Sequence, residues 1–229
     1  MEIVSKGATL RCNDPGERTD PISGWQAGYN SIRSGGMSDR SSMSEAMLHR
    51  QEVMLDRQAR SEARDEAIRQ LTEIGIDRHV ADKALPNEVA LGASILENVR
   101  SARGLSASEY IDKVRPGGAW DYKRDNHPEN ENWGNFNFGV TSRAWANVFF
   151  SDGIPSAWDK YLEDFVLRGA GFVQEYITHT SQDNWGCFLG SAPYGDDPRD
   201  QDQIKAGWEL DKEIESPETD TLDGDMELN

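Results

Sequence analysis

The sequence predicts a mostly α protein of the α+β class, a helical N-terminal region followed by a helix-rich domain with a few short strands. Three observations carry this. Apolar residues recur at helical spacing over residues 41–74 and again over 158–177. Helix punctuation falls between them at Gly75, Pro86, Gly104, the Ser106/Glu109 pair and Pro198. The alternation Asn135, Phe136, Asn137, Phe138 has the two-residue period of a strand, so short extended pieces are expected near 135–150.

Residues 1–40 are rich in Gly, Ser, Asp and Pro and read as an irregular leader. Residues 41–104 read as a helical delivery or adaptor region. In its first helix, Met47, Leu48, Met54, Leu55, Ile68, Leu71 and Ile74 fall near one stripe, and Gly75 supplies the stop. The stripe thins over RQARSEARDEA, residues 57–67, which describes a solvated helix or one that awaits a partner groove. A short helix ends before Pro86. The next is expected from an Asn87 N-cap to Gly104, with Val89, Ile95, Leu96 and Val99 inward. Ser106 and Glu109 spell a capping box for a helix that ends near Arg115-Pro116.

Residues 105–210 read as the working domain. Past Pro116 the chain becomes dense in Gly, Asn and aromatics, and five of its seven Trp lie between 120 and 185. Ser156 is the expected cap of a long helix whose inner residues include Trp158, Tyr161, Leu162, Phe165, Val166, Phe172, Val173 and Ile177. A last helix is expected from Asp197, with Pro198 at its first position and Asp200 near its positive end. Residues 211–229 hold eight acids and one Lys and read as a disordered acidic tail.

Composition narrows the chemistry. The 229 residues carry a formal net charge of -17. Residues 101–209 hold 10 Lys and Arg against 17 Asp and Glu, a balance of -7, whereas nucleic-acid grips show a basic footprint. Nucleic acid is therefore not the expected partner. No apolar run is long enough to span a bilayer, and the first residues lack the basic start and apolar stretch of a signal peptide. The expectation is a chain soluble at synthesis that a dedicated machine must carry if it is exported. Cys12 and Cys187 are expected as unpaired thiols, and without CxxC or HExxH spacing no zinc site is expected. His127 and His179 are isolated, which leaves no histidine-driven triad.

Four patches could carry chemistry. WDYK, Trp120 to Lys123, places Asp121 and Lys123 on one side of an extended segment, as acid/base and as holder of a developing negative charge. The alternative is a surface ion pair beside a packed Trp. In GNFNFG, Gly134 to Gly139, extended alternation would anchor both phenyl rings and present Asn135 and Asn137 to a ligand. The alternative is an Asn-rich turn. On LRGAGFVQE, Gln174 accompanies Gly169 and Gly171, which would admit another segment or serve helix packing. In YGDDPRD, Asp197 and Asp200 fit helix capping and Asp196 is left over. Adjacent carboxylates there could raise one another's pKa, or Asp196, Asp197 and Asp200 could take a divalent cation. The expected catalytic set is Asp121, Lys123, Asp196 and Asp197. The expected substrate-binding set is Trp120, Tyr122, Asn135, Asn137, Gln174 and Tyr194. No metal or other cofactor is otherwise expected.

In order, WDYK, GNFNFG, the LRGAGFVQE helix and PYGDDPRDQDQI resemble the bacterial polymorphic toxin type 44 domain, over roughly Val114 to Leu210. The sequence departs from that pattern after GNFNFG, where VTSRAWANVFF replaces a Gly-rich turn. IVSKGATLRC, Ile3 to Cys12, resembles the start of PAAR-like proteins of type VI secretion. The resemblance implies an exported antibacterial effector with a cognate immunity protein and a secretion spike protein or chaperone as partners. It would stay in the producer's cytoplasm until export and act in the target cell, with the periplasm the expected site. The acidic balance favours a hydrolase of peptidoglycan that uses paired carboxylates as general acid and base. The alternatives are an RNase toxin, in which Lys123 stabilises the phosphorane, and a non-enzymatic secretion adaptor built on the 41–74 helix.

Overall fold

The computed structural model describes residues 39–123, 127–150 and 153–215. Among these the protein is mostly α: α1 (Asp39–Glu73), α2 (Arg78–Ala84), α3 (Ile95–Ala102), α4 (Ala107–Val114), α5 (Glu131–Asn147), α6 (Ser156–Phe172) and α7 (Pro198–Glu215). The expected short strands are not found among the described residues. The leader, apart from the first residues of α1, and residues 216–229 lie outside them.

The chain divides into two units, residues 1–54 and 55–229. In the first, the start of α1 leaves Met47, Leu48 and Met54 exposed. In the second, Ile68 and Leu71 of α1 are buried in a core with Val89, Val99, Tyr110, Trp133, Phe136, Val140 and Leu210. That core runs through the expected division at residue 104, so residues 55–104 and the segments after them share one interior.

Most helix ends follow local chemistry. The Asp77 carboxylate accepts the N–H groups of His79 and Val80 to start α2. The capping box of α4 forms as spelled, with Ser106 and Glu109 each accepting the other's backbone N–H. Two expected caps fail. Gly92 sits at φ 75, so the chain from Asn87 turns back before a helix can form, and Ser94 caps α3 instead. Ser156 is the first residue of α6, preceded by Pro155, and makes no capping bond. Past α6 the backbone widens into a π-helical turn, Val173–Ile177. Helix α7 runs on through Glu215 and buries Asp211, so the first five residues of the expected tail belong to the fold.

The stretch GNFNFG lies inside α5. Trp133, Phe136, Val140 and Ala144 recur at three- and four-residue spacing, and all are buried. That longer period overrides the local alternation. In a helix Asn135 and Asn137 stand about 200° apart rather than on one face. The two rings also separate: Phe136 enters the main core, and Phe138 packs on a smaller cluster of Leu167, Tyr194 and Ile204.

Helices α5 and α7 run in the same direction, because their residues pair in step. Arg143 bonds Asp211 and Asn147 bonds Glu215, while Glu131 faces Asp200 at the other end. They cross at two glycines. A Cβ on Gly139 would strike the backbone of Ile204, and one on Gly207 would strike the carbonyl of Phe136. This close crossing leaves the two helix ends apart in character. At the C-terminal end Arg143 pairs with Asp211 (3.1 Å), Glu215 (2.6 Å) and Asp159 (3.4 Å) in a buried charge network. At the N-terminal end acidic groups collect.

Candidate active site

Three elements converge at the N-terminal ends of α5 and α7. The loop into α7 is built on Tyr194, at φ 59, whose backbone lies against Gly171 of α6 where no side chain would fit. The Tyr194 hydroxyl donates to Asp164 (2.9 Å), and Arg168 stacks over its ring at 4.3 Å. Tyr194 is thereby a buried strut, its hydroxyl and ring committed to Asp164 and Arg168. The strut delivers the next acidic pair. Asp196 is 1% exposed and Asp200, one turn along α7, is 6% exposed.

Burial drives the chemistry of this pair. Desolvation pushes the Asp196 carboxyl up to about 6, against the opposing pull of hydrogen bonds from Gln201 and the Asp197 N–H and of the Lys123 charge. Asp200 is pushed up to about 7, first by desolvation and then by the negative charges of Glu131 and Asp196, with Lys123 opposing. Gln174, on the π-helical turn, donates to Asp200 (3.3 Å) and lies near enough to Asp196 to favour its anion slightly. Its own carbonyl accepts the Thr180 hydroxyl. Gln201 donates to Asp196 (3.4 Å) and to the Leu167 carbonyl (3.1 Å), while its buried carbonyl oxygen finds no partner. Lys123 pairs with the exposed Glu131 at 3.3 Å. The result is two buried carboxyls raised towards neutrality, with one cation near them and one amide donating to Asp200.

The structure sorts the expected residues. Lys123, Asp196 and Gln174 come together. Asn135 lies one turn along α5 from Glu131, on the same face, with its buried amide nitrogen unpartnered. Asp121 does not join. WDYK forms a turn rather than an extended segment, and the Asp121 carboxylate accepts the Gly117 N–H at 2.7 Å. Trp120 is buried in the core with Lys113 over its ring at 4.9 Å. Tyr122 accepts from Asn98, and the Asn137 carbonyl accepts from the same Asn98 amide, both at 2.8 Å, so these two belong to an interior polar link. Asp197 is a cap. Its carboxylate accepts the Arg199 N–H (2.9 Å) and pairs with the Arg199 guanidinium (2.7 Å), which hold it below the usual carboxylate range. Among the described residues no group of three or more His, Cys, Asp or Glu is placed to hold a metal ion, and the expected cation set loses Asp197 to Arg199. Cys187 is disulfide-bonded, which corrects the expectation of an unpaired thiol there.

Glu131, Asp200 and Gln201 are the site residues that the sequence reading passed over or took for helix punctuation. The spacing D-x-x-x-D at 196 and 200 gave no helical signal, because Asp196 lies in the loop ahead of α7, which begins at Pro198. Glu131 carried none, because its partner lies far along the chain.

Two outcomes follow from these environments. Replacing Asp197 by Ala removes a cap and is expected to cost about 0.5–2 kcal/mol of stability while sparing activity, as thermal melting beside an activity assay will report. The acid pair and Asp211, which burial pushes up to about 6, all bind protons more tightly folded than unfolded. Their contribution to stability is complete below about 4 and is lost as pH rises through about 6 to 7. The melting temperature is therefore expected to rise by roughly 4–8 °C from pH 7.5 to 5.5, as about 2 kcal/mol is regained.

An open concavity of about 500 Å³ lies at the other end of the helix pair, lined by Arg103, Asn147, Gly153 and Glu215. It contains none of the acid-pair residues. No helix among the described residues is long and apolar enough to cross a membrane. No protein-family model matches the sequence, and no curated protein or solved structure is similar to it.

Proposed function

We propose that this protein is an exported antibacterial toxin whose hydrolytic site cleaves the glycan of peptidoglycan, with Asp200 as general acid and Asp196 as general base. The observation that carries the reading is the buried Asp196–Asp200 pair, in which one carboxyl is pushed up to about 7 and the other to about 6. Near neutrality the two raised carboxyls hold one proton between them, and Asp200, whose anion the Glu131 charge also disfavours, is the one assigned to carry it. That is the protonation state in which one carboxyl donates to a leaving glycosidic oxygen and the other takes a proton from the attacking water. Gln174 orients Asp200, Gln201 orients Asp196, and Asn135 offers an unpaired donor on the adjoining helix face. Lys123 draws both carboxyls down, while hydrogen bonds from Gln201 and the Asp197 N–H favour the Asp196 anion and the Glu131 charge disfavours that of Asp200.

The four sequence patches and their likeness to the type 44 toxin domain supply the biological setting: a cognate immunity protein, a secretion spike or chaperone, and action in the periplasm of a competitor. The -7 balance of residues 101–209 weighs against the RNase alternative. The test is growth of a sensitive bacterium that expresses the chain with and without a periplasmic signal. Lysis or rounding only with the signal is expected. Arrest only without it would replace the wall hydrolase by a cytoplasmic RNase, and harmlessness in both would leave the secretion adaptor.

A further inference from the structure

The outward face of α6 is aromatic. Tyr161 is 73% exposed and Phe165 72%, with Trp158, Phe172 and, on the π-helical turn, Tyr176 beside them. Trp158, Phe165 and Phe172 repeat every seven residues, so they stack along one line for about 21 Å. The opposite face, with Leu167 and Gly171, is the one that packs inward. Phe172 and Tyr176 also pack edge-on against Phe188, whereas Trp158, Tyr161 and Phe165 serve neither the core nor the acid pair, and helix propensity does not account for them.

We infer that this face joins two copies of the chain, α6 against α6 and antiparallel, about a two-fold axis at Phe165. The argument is self-complementarity. An isologous contact requires one surface to fit itself reversed. Reversal about Phe165 sets Trp158 against Phe172. It also sets Tyr161 against Gly169. That glycine lies on the same outward face, and a Cβ there would meet nothing within 4 Å. No packing among the described residues requires a glycine at 169, whereas a reversed Tyr161 requires a hollow. Large residues meet large ones across the axis, and the one oversized pair meets the one gap.

Area agrees. At about 200 Å² per aromatic side chain, the exposed parts of the five rings amount to roughly 500–600 Å² per copy. Two copies would bury about 1,000 Å² or more, which reaches the size of a specific interface, and the patch on each copy stands at the upper end of what a monomer ordinarily leaves bare.

The test is sedimentation velocity of the full chain at micromolar concentration, beside Phe165→Glu and Gly169→Trp. The wild type is expected at twice the chain mass of 25.6 kDa. Phe165→Glu sets two carboxylates on the axis and is expected to weaken association by at least ~100-fold. Gly169→Trp fills the hollow and is expected to do the same. Both positions are open to solvent, so circular dichroism should match the wild type. A wild type at single-chain mass overturns the inference, whether or not another protein such as an immunity protein covers the stripe. A Phe165→Glu variant that remains fully dimeric overturns it equally. Neither result bears on glycan cleavage, which is read separately.

Discussion

Asp200→Asn is expected to reduce hydrolysis by about 10²–10⁴-fold and, at pH 7.5, to raise the melting temperature. Both effects come from one cause. Burial and the charges of Glu131 and Asp196 push the Asp200 carboxyl up to about 7. That makes it a proton donor at neutral pH, and an amide in its place cannot donate to a leaving oxygen, so the loss is that of general acid catalysis. The same burial makes the ionised carboxylate costly. A carboxyl whose folded pKa lies above its unfolded value loses its stabilising contribution as pH rises, and the amide does not titrate at all. Asparagine keeps the acceptor that Gln174 needs. The substitution also removes a negative neighbour from Asp196, whose pKa should fall towards the ordinary value. Rates on peptidoglycan and melting curves at pH 7.5 and 5.5 check all of this, and the variant's gain in stability should shrink at the lower pH. A structural carboxylate would show the reverse, with activity retained and stability lost.

Gly207→Val is expected to cost about 4 kcal/mol or more, which is a large share of the stability of an ordinary domain. A Cβ at this position would overlap the Phe136 carbonyl and crowd the Val140 nitrogen. These are backbone atoms of the facing helix, so no rotamer change relieves the clash. The helices must separate, which opens the core around Phe136, Val140 and Trp208, all of them buried. The melting temperature should fall by roughly 10 °C or more, and soluble yield should fall with it. Gly169→Ala is the control. Its Cβ meets nothing, and alanine is the better helix former by about 1 kcal/mol, so that variant should hold or gain stability.

The sequence was most legible where chemistry is local. The Ser106–Glu109 capping box, the Pro198 start of α7 and the mostly helical class could each be read from a few neighbouring residues. It misled where a short pattern competed with a longer one. Four alternating residues at 135–138 spell a strand, but Trp133, Phe136, Val140 and Ala144 bury a helical stripe that runs through most of the seventeen residues of α5. Asn87 looked like a cap, but the turn at Gly92 decides where α3 begins. The acid pair was half legible. Asp196 stood out as the carboxylate that capping did not use, whereas Asp200 read as a favourable charge in a first helical turn. Its burial depends on α5, which is brought to α7 by the crossing of Gly139 and Gly207. No local spelling reports that a residue some seventy positions away will close over a carboxylate.

The most direct measurement is digestion of purified peptidoglycan sacculi by the full-length protein, Asp196→Asn and Asp200→Asn at pH 6.5, with new reducing sugar ends counted. The acid pair predicts steady release of soluble fragments by the wild type and loss of that release in both variants, each still folded. Intact sacculi after incubation with the folded wild type, or equal release by Asp200→Asn, would contradict it.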